Sequence, residues 1–208
     1  MASIIAALSM SLDGFIASPS DDVGPLFDWY GNGPVETRWP GMGLVSHTTA
    51  ASAAYLADVI ARGGAMVVGR RLFDLTHGWR GQHPLDVPVF VVTHGPIPTD
   101  WIAAHPAAPF HFVTGGVAAA IERAAEVAGD GFVGVNGPNI AQQALDADLL
   151  DAVHVDLVPV LLGTGIRFFE HLRGTPRMLE DPVIVAGERV THLTFRVRKR
   201  SSPARGSA

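Results

Sequence analysis

Arg70 and Arg71 stand side by side directly after the apolar run Ala65-Met66-Val67-Val68-Gly69. A guanidinium is a fixed cation with a fork of donors that suits phosphate. Arginine at a helix start opposes the helix dipole, so an anion there would explain the pair; two solvated side chains explain it equally. Thr93-His94 closes a second apolar run, Val87–Val92, and offers a hydroxyl and an imidazole to a ribose or its phosphate. Ordinary turn residues look the same. Val135-Asn136-Gly137-Pro138-Asn139-Ile140 is the third candidate. Gly137 permits close backbone approach and Pro138 fits a first helical turn, although Asn-Gly alone suggests a hairpin. The G-x-G-x-x-G fingerprint is missing. Asp13, in Ser11-Leu12-Asp13-Gly14, suits an acid, an orienting acceptor or a turn cap. Phe27, Trp29 and Trp79 are flat surfaces for stacking, or ordinary core.

Other chemistries are poorly served. The nine histidines show no metal spacing; His77 and His83, for instance, are not placed as ligand pairs usually are. No metal is expected. The chain has no cysteine, which excludes disulfide and thiolate chemistry and fits a cytoplasmic protein. The net charge of −5 gives no general attraction to nucleic acid. No apolar stretch reaches the roughly 18 residues that span a membrane. The start, MASIIAALSMS, has no basic residue before its apolar run and makes a poor signal peptide.

The elements that would position these residues alternate. Apolar runs predict strands at 3–8, 65–69, 87–93, 110–114, 131–135 and 149–162. Helical patterns fall at 48–62, 70–76, 117–128 and 138–145, with Gly63-Gly64 expected to end the first. Residues 18–47 read as a long irregular loop. Residues 177–198 read as two strands around Ala186-Gly187-Glu188. Strand–helix alternation predicts a mostly parallel sheet covered on both faces and closed by an antiparallel hairpin. We expect one domain over 1–198 and a disordered basic tail over 199–208. In such sheets ligands bind beyond the carboxyl ends of the strands, which is where the three candidate junctions fall.

Several of these motifs occur in a familiar order: Ala6-Ala7-Leu8, Ser11-Leu12-Asp13-Gly14-Phe15-Ile16-Ala17, Val68-Gly69-Arg70-Arg71, Pro88 through Thr93, Asn136-Gly137, and Val158 through Phe169. The chain resembles the dihydrofolate-reductase-like superfamily, more closely the stand-alone relatives of the reductase domain of the riboflavin-biosynthesis deaminase/reductase. The resemblance spans about residues 3–197. It implies a three-layer α/β/α fold with a twisted, mostly parallel sheet, NADPH as cofactor, and a homodimer. By position, Ala7 and Ile16 would flank the nicotinamide. Gly69, Arg70 and Arg71 would meet the phosphates, including the 2′-phosphate, with Thr93 and His94 near the adenosine. Val135 and Asn136 lead into the turn at which Gly137, Pro138, Asn139 and Ile140 would sit under the pyrophosphate. Relatives carry Gly-Gly at that turn, whereas here the first residue is Asn136.

These expectations combine into hydride transfer from NADPH to a planar conjugated small molecule of pterin, pyrimidine or flavin-precursor type. Asp13 would lie near the reacting atom, and Phe27, Trp29, Ser52 and Trp79 would face the substrate. The acid on the first long helix, Asp58, lies away from the face of Tyr55, Leu56, Val59 and Ile60, so a substrate other than dihydrofolate is expected. The alternative is a non-catalytic nucleotide-binding or oligomeric protein that retains the fold.

Overall fold

The computed structural model describes residues 1–200. Twelve strands form: β1 Ser3–Ser11, β2 Phe15–Ala17, β3 Val35–Arg38, β4 Val45–Thr48, β5 Gly63–Gly69, β6 Val89–Val92, β7 Phe110–Val113, β8 Phe132–Asn136, β9 Ala152–Val158, β10 Ile166–Arg167, β11 Val183–Ala186 and β12 Thr191–Arg196. Five α-helices accompany them: α1 Ala50–Arg62, α2 Arg70–Leu75, α3 Thr99–Ala104, α4 Gly116–Ala128 and α5 Pro138–Asp146.

Eight strands join in the order β11-β12-β9-β1-β8-β5-β6-β7. From β9 to β7 every neighbouring pair is parallel; β12 and β11 are antiparallel, the expected closing hairpin. The central parallel strands β5, β6 and β8 are almost wholly apolar because both faces are covered. On one face α4 buries Val117, Ala120, Ile121 and Ala124, and α5 buries Ile140, Ala141, Ala144 and Leu145, three to four residues apart. These pack on Ala6, Val67, Val133 and Val135. On the other face α1 and α2 lie over Met66, Val68, Val89 and Val91 through Val59, Ile60 and Phe73. No helix among the described residues is long and apolar enough to cross a membrane.

The stretch 18–47 is more ordered than expected. It holds a 3-10 segment at Gly24–Gly31 and the β3–β4 hairpin. Both are fixed by distant contacts, such as Trp29 donating from Nε1 to Ser9 Oγ at 3.3 Å. Gly63 and Gly64 begin β5 instead of merely ending α1. β9 stops at Val158, short of the expected 162. Of the expected tail, Lys199 pairs with Asp151 at 2.9 Å and the Arg200 amide donates to Asp148 at 3.2 Å. Residues 201–208 lie outside the described residues.

Candidate active site

The β1–β8 ladder ends at Ala6↔Val135, while β5–β8 continues to Val68↔Asn136. Beyond Ala6, β1 pairs only with β9. The sheet therefore parts between Ala7 and Asn136, at the carboxyl ends of its central strands. Here the chain order also reverses: β5, β6 and β7 build outward on one side of β1, and β8 returns to fill the gap. This is a topological switch point, where open α/β sheets bind ligands.

Gly137 forms the floor of the opening. It sits at φ +105, which only glycine adopts without strain, and a Cβ there would meet nothing nearer than the Gly69 amide nitrogen at 4.0 Å. It is the N-cap of α5, with no side chain capping the helix and no acid in its first turn. The exposed amides and the helix dipole suit an anion. Asn136 Oδ1 is buried at the edge of this opening without a hydrogen-bond partner. The cradle, the uncapped helix and the orphan acceptor fit a dinucleotide diphosphate with a hydrogen-bond donor beside it.

The other expected contacts are less direct. Val135 is fully buried in the core, so only its backbone faces the turn. Ile140 packs against Gly69, and Asn139 Oδ1 accepts from Gln143 at 2.6 Å. Arg70 is engaged by Asp74 at 2.8 Å and donates to the Pro96 carbonyl at 2.6 Å. Arg71 pairs with Asp21. Both guanidinia thus have carboxylate partners and are not the free cations the sequence suggested. Thr93 is buried, and its Oγ1 accepts from the Gly95 amide at 3.2 Å; His94 is exposed.

Asp13 has a clear structural task. Its carboxylate accepts from Ser11 Oγ at 2.6 Å, Leu162 N at 3.1 Å and Gly163 N at 2.7 Å. The Ser11 hydroxyl and these amides hold its carboxyl down at about 2, so it is ionised at neutral pH and is no reservoir of protons. Ser-Leu-Asp-Gly-Phe-Ile-Ala and Pro-Val-Leu-Leu-Gly-Thr-Gly-Ile-Arg-Phe-Phe are therefore two halves of one unit. Arg167 also stacks over Phe15 at 4.5 Å, and Gly165 passes so close to Ala17 that a Cβ would meet its carbonyl oxygen at 2.1 Å. Ile16, on β2 within this unit, packs on the α4–α5 side of the sheet. Ala7 lies on the opposite face, beside Ile5 and Phe132.

The proposed stacking residues separate. Trp29 is 1% exposed and covered by Tyr30, with ring centroids 3.9 Å apart, so it is core in this structure. Phe27 is exposed beside Tyr30. Trp79 packs on His83 and tilts toward Phe110, the first residue of β7. That is the amino end of the strand, away from the opening. Ser52 is buried and bonded to His192 Nε2 at 2.9 Å.

The family described as the RibD C-terminal domain matches residues 2–190. The chain belongs to this family. No curated protein matches it. Among solved structures, a putative riboflavin biosynthesis protein from Shewanella sp. PV-4 is 22% identical over 96% of this chain and 100% of its own, with a TM-score of 0.68. A diaminohydroxyphosphoribosylaminopyrimidine deaminase/5-amino-6-(5-phosphoribosylamino)uracil reductase from Thermotoga maritima is 12% identical with a TM-score of 0.59. The match covers 95% of this chain but 57% of that one. Dihydrofolate reductase from Enterococcus faecalis, complexed with NADP(H), is 14% identical over 95% of this chain and 97% of its own, with a TM-score of 0.54. These likenesses confirm the dihydrofolate-reductase-like fold of the family.

One cluster escaped the sequence reading. His192 Nδ1 lies 2.7 Å from Asp156 Oδ1, with Tyr55 stacked on the imidazole at 4.0 Å. Polar residues at alternate positions of apolar strands, His154 and Asp156 in one and His192 in another, were the available signal. The register that joins them was not.

Proposed function

We propose that this chain is an NADPH-dependent reductase that passes hydride to a planar conjugated small molecule of pterin, pyrimidine or flavin-precursor type. The observation that carries this reading is the parting of β1 from β8 over the Gly137 cradle. Family membership and the reductases among its structural likenesses support it. Gly137 through Ile140 would hold the diphosphate, Arg70 and Arg71 the 2′-phosphate, and Thr93 and His94 would border the adenosine. Ala7 and Ile16 would flank the nicotinamide. Bound there, NADPH supplies the hydride, and the protein orients it and excludes water. Asp13 acts as an ionised tether that keeps the 160–163 loop beside the opening.

Titration with NADPH and NADH, followed by fluorescence, tests the reading. Micromolar NADPH binding with weaker NADH binding is expected, and Arg70→Ala and Arg71→Ala should weaken NADPH far more than NADH. No binding of either nucleotide sinks the reading. Binding without oxidation by any pterin, flavin precursor or quinone favours the non-catalytic alternative.

The homodimer has a structural candidate. β11 is an edge strand whose Val183 and Ile184 are 67% and 60% exposed. An apolar edge with free backbone groups invites pairing with a second copy. Light scattering on wild type and on Ile184→Lys reads this directly: a dimer that becomes a monomer supports it.

A further inference from the structure

Asn136 has no structural task that its neighbours explain. It is the last residue of β8, and its φ is not positive, so the backbone needs nothing that asparagine in particular offers. Its side chain caps no helix: α5 starts from Gly137 with no side chain bonded to its first amides. Its Oδ1 is buried and has no hydrogen-bond partner among the described residues. A buried acceptor without a donor is costly, and each one in a folded protein calls for an explanation.

The face on which Asn136 lies narrows that explanation. Residues four apart on a strand share a face, so Asn136 lies on the side of Phe132. Ala7 packs beside Phe132 on that same side. Asn136 also pairs with Val68, which belongs to the cluster under α2 with Phe73. Asn136 therefore stands at the β8 rim of the opening, and Ala7 at the β1 rim.

Along the sheet order β6-β5-β8-β1, the candidate cofactor positions run from Thr93 to Gly69, Gly137 and Ala7. A dinucleotide laid along them has its diphosphate at Gly137 and its reacting ring at Ala7. What spans the two is the ribose that carries the ring. An ionised diphosphate offers only acceptors, so it cannot satisfy an amide oxygen. The carboxamide lies one ring further on. The hydroxyls of this ribose are the first donors beyond the diphosphate.

We propose that Asn136 Oδ1 accepts from a hydroxyl of the ribose between the diphosphate and the reacting ring. The contact fixes that ribose, and with it the ring, over the parting of β1 from β8. Hydride transfer depends on such placement. The site then selects a riboside over a bare diphosphate at this position. The inference deepens the reductase reading and rests on it for the cofactor.

The test is calorimetric binding of two fragments. 2′-Phospho-ADP-ribose carries the ribose, and 2′-phospho-ADP stops at the diphosphate. The quantity read is the gain in affinity on adding the ribose. Asn136→Ala should cut this gain about tenfold, the worth of one buried hydrogen bond. A merely structural effect on the turn changes both affinities alike and leaves the gain where it was. Asn136→Asp keeps the acceptor, so it should weaken both fragments, by repelling the diphosphate, and keep the gain. A gain unchanged in Asn136→Ala overturns the inference, whether both affinities hold or both fall together. The second case marks an amide turned over to donate to the diphosphate. A gain lost in Asn136→Asp as fully as in Asn136→Ala overturns it too. With NADPH still bound by wild type, these outcomes leave the reductase reading standing; no binding of NADPH removes both. Should Asn136→Ala not fold, wild type decides through the side-chain amide NMR signals of Asn136. The ribose-bearing fragment should shift them more than 2′-phospho-ADP does, and equal shifts overturn the inference.

Discussion

Arg71 and Asp21 are far apart in sequence, yet their side chains meet as a bidentate pair, Nε to Oδ1 at 3.0 Å and Nη2 to Oδ2 at 2.5 Å. The pair fastens the loop after β2 to the start of α2. A 2′-phosphate that uses Arg71 has to displace Asp21. Asp21→Asn should therefore tighten NADPH binding by about two- to fivefold, the range for an exposed ion pair, with NADH unchanged. Nucleotide titrations of both proteins check this.

The Gly137 turn separates backbone need from side-chain need. Gly137→Ala forces a side chain into φ +105, at a cost of about 1–3 kcal/mol, and should lower both Tm and NADPH affinity. Asn136→Gly removes a buried acceptor that has no partner, and relief of that desolvation offsets the added chain freedom. Its Tm should stay close to wild type. Scanning calorimetry with and without nucleotide distinguishes the two effects.

Acid should act in two windows. Burial lowers His83 from its ordinary 6.5 to about 4, so the folded state resists protonation that the unfolded chain accepts. That contribution is complete above 6.5 and is lost as pH falls toward 4. His83→Gln should flatten the fall in Tm over this interval. Asp13, lowered from 3.8 to about 2, contributes above 3.8 and loses its contribution as pH falls through 2. The Tm difference between wild type and Asp13→Asn should shrink between those values.

Trp79 gives a control. It sits with His83 and Phe110, away from the opening. Trp79→Phe should lower Tm and leave nucleotide affinity unchanged, as thermal unfolding and titration on one preparation would show.

Much of the architecture was legible because burial on both faces writes itself as apolar strands between amphipathic helices. Gly137 was legible because close approach and positive φ leave few alternatives to glycine. The 18–47 stretch was not, since Trp29 takes its place from Ser9 on β1 and not from its neighbours. The arginines were visible, but Asp21, Asp74 and the Pro96 carbonyl, which occupy them, come from the folded arrangement. Asp156 and His192 were hidden for the same reason. Each is an ordinary polar residue in its own strand, and only the β9–β12 register makes them a pair.

The place of β1 has a consequence for how the protein is made. It leaves the ribosome before the other strands of this sheet, yet its two neighbours come from Phe132–Asn136 and Ala152–Val158. Until those residues emerge, an apolar strand that will occupy the middle of the sheet has neither edge satisfied. Such long-range pairing is slow and leaves nascent chains open to self-association. The central ladder, with the opening beside it, can close only after Val158 has emerged.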